Sequence, residues 1–99
     1  MARLVQYSVY IMSNLHATVL YIGVTSNLEQ RVWQHKQGEG GSFTSKYNCH
    51  CLLYYEDYQN VSKAIEREKQ LKNWHRDWKF NLIKQENPEG KDLAENWYT

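Results

Sequence analysis

Hydrophobic positions fall first into two short runs, Val9-Tyr10-Ile11-Met12 and Val19-Leu20-Tyr21-Ile22, with small or polar residues between and after them. Runs of this length and composition read as strands over residues 6–12 and 18–23. The turn Ser13-Asn14-Leu15-His16 makes the pair a hairpin. The rhythm then lengthens. Ser26 and Glu29, three apart, have the form of a capping box and open a helix that runs to about Gln37. Leu28 and Val32 lie on its core side, and Arg31 and His35 share the adjoining face at i, i+4. Gly38-Glu39-Gly40-Gly41-Ser42 ends it and opens a flexible loop to Asn48. Residues 51–57 read as a third strand. A second helix starts at Asn60-Val61-Ser62 and continues through Trp74. A third covers 77–85, with Trp78, Leu82 and Ile83 toward the core, and Asn87-Pro88-Glu89-Gly90 stops it. The predicted fold is α+β, a small three-stranded sheet with packed helices in the order β-β-α-β-α-α, forming one domain over 1–99.

One position breaks this pattern. On a wheel of the second helix, Val61, Ala64, Ile65 and Leu71 form the apolar stripe, and Glu68 falls within it. Glu66 points to solvent. An ionised carboxylate among apolar side chains is costly unless it is paired or bound to a metal. Two readings stay open: an edge position with a salt bridge to Arg31 or a lysine, or a lone ligand for a hard divalent cation. Magnesium suits the second, because it keeps several waters and takes only one or two carboxylates beside substrate phosphate oxygens.

Composition narrows the partners. Fourteen aromatics, eight of them tyrosine and four tryptophan, support a real core in a chain of 99 residues. No apolar run is long enough to span a bilayer, and Met1-Ala2-Arg3-Leu4-Val5 lacks the apolar stretch of a secretory leader, so a cytoplasmic location is expected. Cys49-His50-Cys51 reads as two reduced cysteines: the spacing is poor for a disulfide, and no second ligand pair follows at zinc-finger distance. Net charge is only +1, but it is unevenly placed. Residues 63–84 hold seven bases against three acids, whereas residues 85–99 hold four acids against one base. A basic helical region of this kind fits a phosphate-binding surface, and it also fits a solvated helix face.

Taken in order, Val9-Tyr10-Ile11, Tyr21-Ile22-Gly23, Arg31 ten residues after Tyr21, His35 one turn later, and Ala64-Ile65-Glu66-Arg67-Glu68-Lys69-Gln70-Leu71 resemble the GIY-YIG nuclease superfamily. The likeness is nearest to small stand-alone members related to the N-terminal nuclease domain of the repair excinuclease. Asn87-Pro88-Glu89-Gly90-Lys91-Asp92-Leu93 resembles the ending of that group. The resemblance implies a metal-dependent nuclease that hydrolyses phosphodiester bonds, in DNA more than RNA, choosing substrate by structure and serving DNA repair. It implies Tyr10, Tyr21, Arg31 and His35 as catalytic residues, Glu68 as ligand to Mg2+ (or Mn2+), and Gly23, Thr25, Lys46, Lys72 and Asn81 as substrate contacts. Ser8 stands where the family has glycine, and Val24 where some members carry a lysine near the scissile phosphate. Two other functions remain in view. One is a non-catalytic nucleic-acid binder, with Trp74, Trp78 and Trp97 stacking on bases. The other is a protein-interaction module. A monomer or weak homodimer is expected, and the 38–48 loop, with Lys46 and Tyr47, is a candidate to close over substrate.

Overall fold

The computed structural model describes residues 6–98. Residues 1–5, on which the leader expectation rests, lie outside them. The elements are β1 (Tyr7–Ser13), β2 (Leu20–Thr25), α1 (Leu28–Lys36), α2 (Ser42–Lys46), β3 (Cys51–Tyr58), α3 (Val61–Asn73) and α4 (Arg76–Glu86). The sheet is antiparallel in the order β2-β1-β3, with the first strand in the middle.

Strand alternation sends the two halves of β1 to opposite sides. Val9 and Ile11 join Ile22, Leu53, Tyr54, Ala64, Leu71 and Ile83 in one core, under α3 and α4. Tyr10 and Met12 join Val32 of α1, Leu52, Cys49 and Ala94 in the other. A bulge lets β3 serve both cores. Ile11 faces Tyr54 and Met12 faces Leu52, so Leu53 is the extra residue. Its carbonyl accepts a hydrogen bond from the buried Asn87 amide at 3.0 Å. The C-terminal segment is tied to the same strand: Asp92 Oδ1 accepts from Leu52 N at 3.0 Å, and Leu93 N donates to Leu52 O at 2.8 Å. Lys36 of α1 pairs with Asp92.

Local chemistry explains most boundaries. Asn14 caps the hairpin connection, its Oδ1 accepting from Thr18 N and Val19 N. Arg76 at the start of α4 donates to Ala17 O and Thr18 O and docks that helix on the hairpin. Asn60 caps α3 by accepting from Lys63 N.

Several details depart from the sequence expectation. The cap of α1 is Asn27, not Ser26: its side chain accepts from Gln30 N at 3.2 Å, while Thr25 Oγ1 holds the Asn27 N–H at 3.1 Å. The 38–48 segment is not a loop throughout, because it contains α2, whose Thr44 is buried. Tertiary contact sustains so short a helix, which has no apolar period of its own. Trp78 is 53% exposed rather than in the core, and Val61 and Ile65 are also exposed. The buried line of α3 is therefore narrower than the wheel suggested, running through Ala64 and Leu71 with Glu68 half-buried between them. Cys49 and Cys51 are free thiols, and burial pushes both up in pKa.

Candidate active site

The site grows from the pairing of β1 with β2. Tyr10 sits opposite Gly23, and Met12 opposite Tyr21, so both tyrosines and the glycine share one face. Gly23 is there because nothing larger fits: a Cβ would lie 2.6 Å from Cζ and Oη of Tyr10. The phenol therefore lies across the edge strand instead of being displaced by it.

Behind the phenol is His35, fully buried. Tyr10 Oη and His35 Nε2 are 2.8 Å apart, and His35 Nδ1 and Thr44 Oγ1 are 3.0 Å apart. Thr44 Oγ1 donates its single proton to Gly41 O at 3.4 Å. It therefore accepts from His35, which places the imidazole proton on Nδ1 and leaves Nε2 as the acceptor for the Tyr10 hydroxyl. Burial, aided by the Arg31 charge and then by His50, lowers the His35 pKa to about 4, so the ring is neutral at pH 7. Burial pushes Tyr10 up to about 12 against the lowering pull of Arg31, with Tyr21 and Glu68 adding to the rise. Gly40 closes the pocket around the ring: a Cβ there would lie 2.0 Å from His35 Nδ1.

Arg31, half-buried on α1, donates through Nη2 to Gly40 O at 2.9 Å and through Nη1 to Gln34 Oε1 at 3.1 Å. No carboxylate neutralises it among its described salt bridges and hydrogen bonds. The Tyr21 ring is 6.3 Å from that of Tyr10, 5.4 Å from that of His35 and 5.9 Å from that of Phe43.

Glu68 arrives from the other side. Its helix packs on the face of Val9 and Ile11, yet its charge acts on Tyr10. The approach is possible because β2 is the sheet edge. A cavity of about 300 Å³ straddles that edge, lined by Leu20, Tyr21, Ile22, Phe43, Lys72 and Lys79. The Glu68 side chain is 16% exposed and reaches Lys72 Nζ at 3.4 Å, a long i, i+4 pair. That lysine partner is one of the two readings the helix wheel left open. The same carboxylate also fits a hydrated hard cation. No group of three or more His, Cys, Asp or Glu that could hold a metal occurs among the described residues. A single carboxylate suits magnesium or manganese completed by water and substrate oxygens, and does not suit a structural zinc.

Tyr10, Tyr21, Gly23, Arg31 and His35 are thus gathered at one place, with Glu68 and Lys72 approaching across the β2 edge. Three other expected contacts are placed differently. Thr25 Oγ1 is engaged with Asn27 in the turn before α1, since that turn needs a partner for its free backbone groups. Lys46 lies over the Tyr47 ring at 5.3 Å. Asn81 is exposed on α4. Of the tryptophans considered for base stacking, Trp97 and Trp74 pack against the two cores and only Trp78 is well exposed. Sequence reasoning missed Thr44, Gly40, Phe43 and Lys79. The glycine-rich stretch was the one signal for the first two, because close packing around a ring demands residues without side chains.

Among the described residues no helix is long and apolar enough to cross a membrane. Residues 6–81 match the family model described as the GIY-YIG catalytic domain. A UPF0213 protein of Staphylococcus haemolyticus is 33% identical over 66 residues, covering 67% of this chain and 80% of the relative. A UPF0213 protein of Staphylococcus aureus is 35% identical over the same extent. The solution structure of the UPF0213 protein BH0048 from Bacillus halodurans superposes with a TM-score of 0.57 at 21% identity, over 92% of this chain and 97% of that one, and shows the same fold.

Proposed function

This chain belongs to the GIY-YIG catalytic-domain family, and from that premise we propose that it is a metal-dependent nuclease hydrolysing phosphodiester bonds in DNA, selective for substrate structure rather than sequence. The observation that carries the reading is the 2.8 Å contact between Tyr10 Oη and a buried, neutral His35, beside a guanidinium not committed to a carboxylate.

Phosphodiester hydrolysis needs an in-line water, neutralised phosphoryl oxygens and help for the leaving oxygen. Arg31 is already held by Gly40 and Gln34, so it meets a non-bridging oxygen without losing much freedom. Tyr10 is a neutral phenol at pH 7 and does not act as a free phenolate. It relays a proton instead: its oxygen takes one from the attacking water as its own passes to His35 Nε2. Arg31 is the second cause of the low His35 pKa. When a phosphate shares the Arg31 charge, that contribution shrinks and His35 becomes a better base. Tyr21 walls the site on the Phe43 side. Lys72 and Lys79 place positive charge beside Tyr21, compensating for Val24, which stands where some family members carry a lysine. When bound at Glu68, magnesium or manganese would supply charge for the phosphoryl and leaving 3′ oxygens.

The test is cleavage of nicked, branched, single-stranded and duplex DNA, and of RNA, with magnesium or manganese. Glu68→Ala and Arg31→Ala are each expected to lower turnover by about 10²–10³-fold while the domain still melts cooperatively. Full turnover in Glu68→Ala would overturn the assignment of the metal ligand. Absence of cleavage on every substrate would overturn the activity.

A further inference from the structure

The cavity on the β2 edge has two kinds of wall. One is apolar and aromatic. Tyr21 and Phe43 stand 5.9 Å apart between ring centroids, and Phe43 packs on Tyr47 at 4.8 Å. Phe43 is 45% exposed and Tyr47 is 39% exposed. The other wall carries two ammonium groups, Lys72 of α3, half exposed in its long 3.4 Å pair with Glu68, and Lys79 of α4. Lys79 Nζ donates only to the Lys72 carbonyl, at 3.5 Å, and none of the described salt bridges pairs it with a carboxylate. An exposed aromatic face beside two ammonium groups is poorly matched to an apolar peptide, which would leave both lysines desolvated. It matches a flat, π-faced group carrying an anion. The volume, about 300 Å³, is at the low end for small-ligand pockets and suits one such unit.

We propose that this cavity takes one unpaired nucleotide of the substrate strand, its base stacked on Phe43 and its phosphate between Lys72 and Lys79. The proposal rests on the nuclease reading and adds a substrate class to it. Tyr21 is common to the cavity and the candidate active centre, so a nucleotide held here sits next to the phosphate to be cleaved. A base inside continuous duplex is stacked on both sides and cannot offer its face to Phe43. The enzyme therefore selects strands with an unpaired nucleotide, such as single strands, flaps and bulges, over uninterrupted duplex.

Equilibrium binding to a fluorescent blunt-ended DNA duplex, with and without a one-nucleotide bulge, tests this with the wild-type chain in EDTA. The bulged probe is expected to bind more tightly. Phe43→Ala should weaken the bulged probe by about 5- to 100-fold and the continuous one by less than about twofold, and Phe43→Trp should restore the preference. Lys79→Gln should weaken both probes and lower the salt slope by about one. Equal wild-type affinity for the two probes, or equal loss on both in Phe43→Ala, would overturn the proposal. So would self-association that Phe43→Ala abolishes, because the face would then belong to a second copy. A cleavage assay separates the two levels. Cleavage indifferent to unpaired nucleotides and to Phe43→Ala removes this proposal alone, whereas no binding and no cleavage of any probe removes the nuclease reading as well.

Discussion

Two clusters of tyrosine lie on this small sheet and differ in what stands behind the phenol. On β3, Tyr54 and Tyr58 both donate to Glu56, the latter at 2.6 Å, and Arg67 Nε donates to the same carboxylate at 2.6 Å. Burial raises the Glu56 pKa, but the bonds from Tyr54, Tyr58 and Arg67 together hold it below its ordinary value. Burial and the carboxylate push Tyr58 up to about 12 and Tyr54 higher. Arg67 also donates to Gln70 and lies over the Trp74 ring at 5.0 Å. Charge is matched by charge, and the donors are committed. In the other cluster, Tyr10 donates to a neutral imidazole, and the neighbouring Arg31 is bound to a carbonyl and an amide. The first arrangement holds β3 to α3. The second has a group able to take a proton and a cation with charge to share. Residue type and strand placement are alike in the two, so the acceptor behind the hydroxyl separates structural tyrosines from a candidate catalytic one.

The sharpest way to break this contrast is to delete one hydroxyl from each cluster. Tyr10→Phe is expected to lower single-turnover cleavage by about 10²–10⁴-fold, the range for a lost proton-transfer partner. Tyr58→Phe should leave the rate within about twofold and change only the melting temperature. Similar rate losses in both would show that the two clusters are equivalent.

A smaller effect distinguishes the acceptors by pH. His35 is held neutral, its pKa lowered from 6.5 to about 4. Its folded form thus binds a proton less readily than the unfolded chain. The stability this confers is complete above about pH 6.5 and declines as pH falls toward 4, by no more than about 3 kcal/mol. Glu56 acts with the same sign in a more acidic window: its lowered carboxyl pKa gives stability that is present above the ordinary carboxylate value and is lost only below it. Denaturant melts between pH 7 and 5 should therefore weaken in the wild type and flatten in His35→Gln. An unchanged slope in that variant would remove His35 as the source.

The smallest effect concerns the tautomer. Thr44→Val removes the oxygen that accepts the Nδ1 proton of His35. It should cost about 1 kcal/mol, lower turnover by roughly 5- to 10-fold and shift the pH–rate profile, with Thr44→Ser restoring both. A stability loss with an unmoved profile would leave Thr44 a packing residue only.

Much of the fold was legible because its signals are short in range. Tyrosine-rich alternation marked β1 and β2, and Gly23 and the Arg31/His35 spacing marked the face that became the site. The misses share one cause. α2 has no period of its own, and Thr44 acquires meaning only where it meets His35. Ile65 and Trp78 looked like core residues because a wheel cannot show how little of each helix a three-stranded sheet covers.

The chain by itself determined which residues alternate, where helices are capped, and which polar groups stand among apolar ones, Glu68 above all. These follow from neighbours within a few residues, where sterics and hydrogen bonding act directly. Only tertiary structure decided that Glu68 and Lys72 would approach from one face of the sheet and Arg31 and His35 from the other. It also decided that they would meet at β2, which has no strand beyond it among the described residues. Such a meeting depends on how three strands and two helical layers close on one another, and a free sheet edge is where elements from both sides have room to converge.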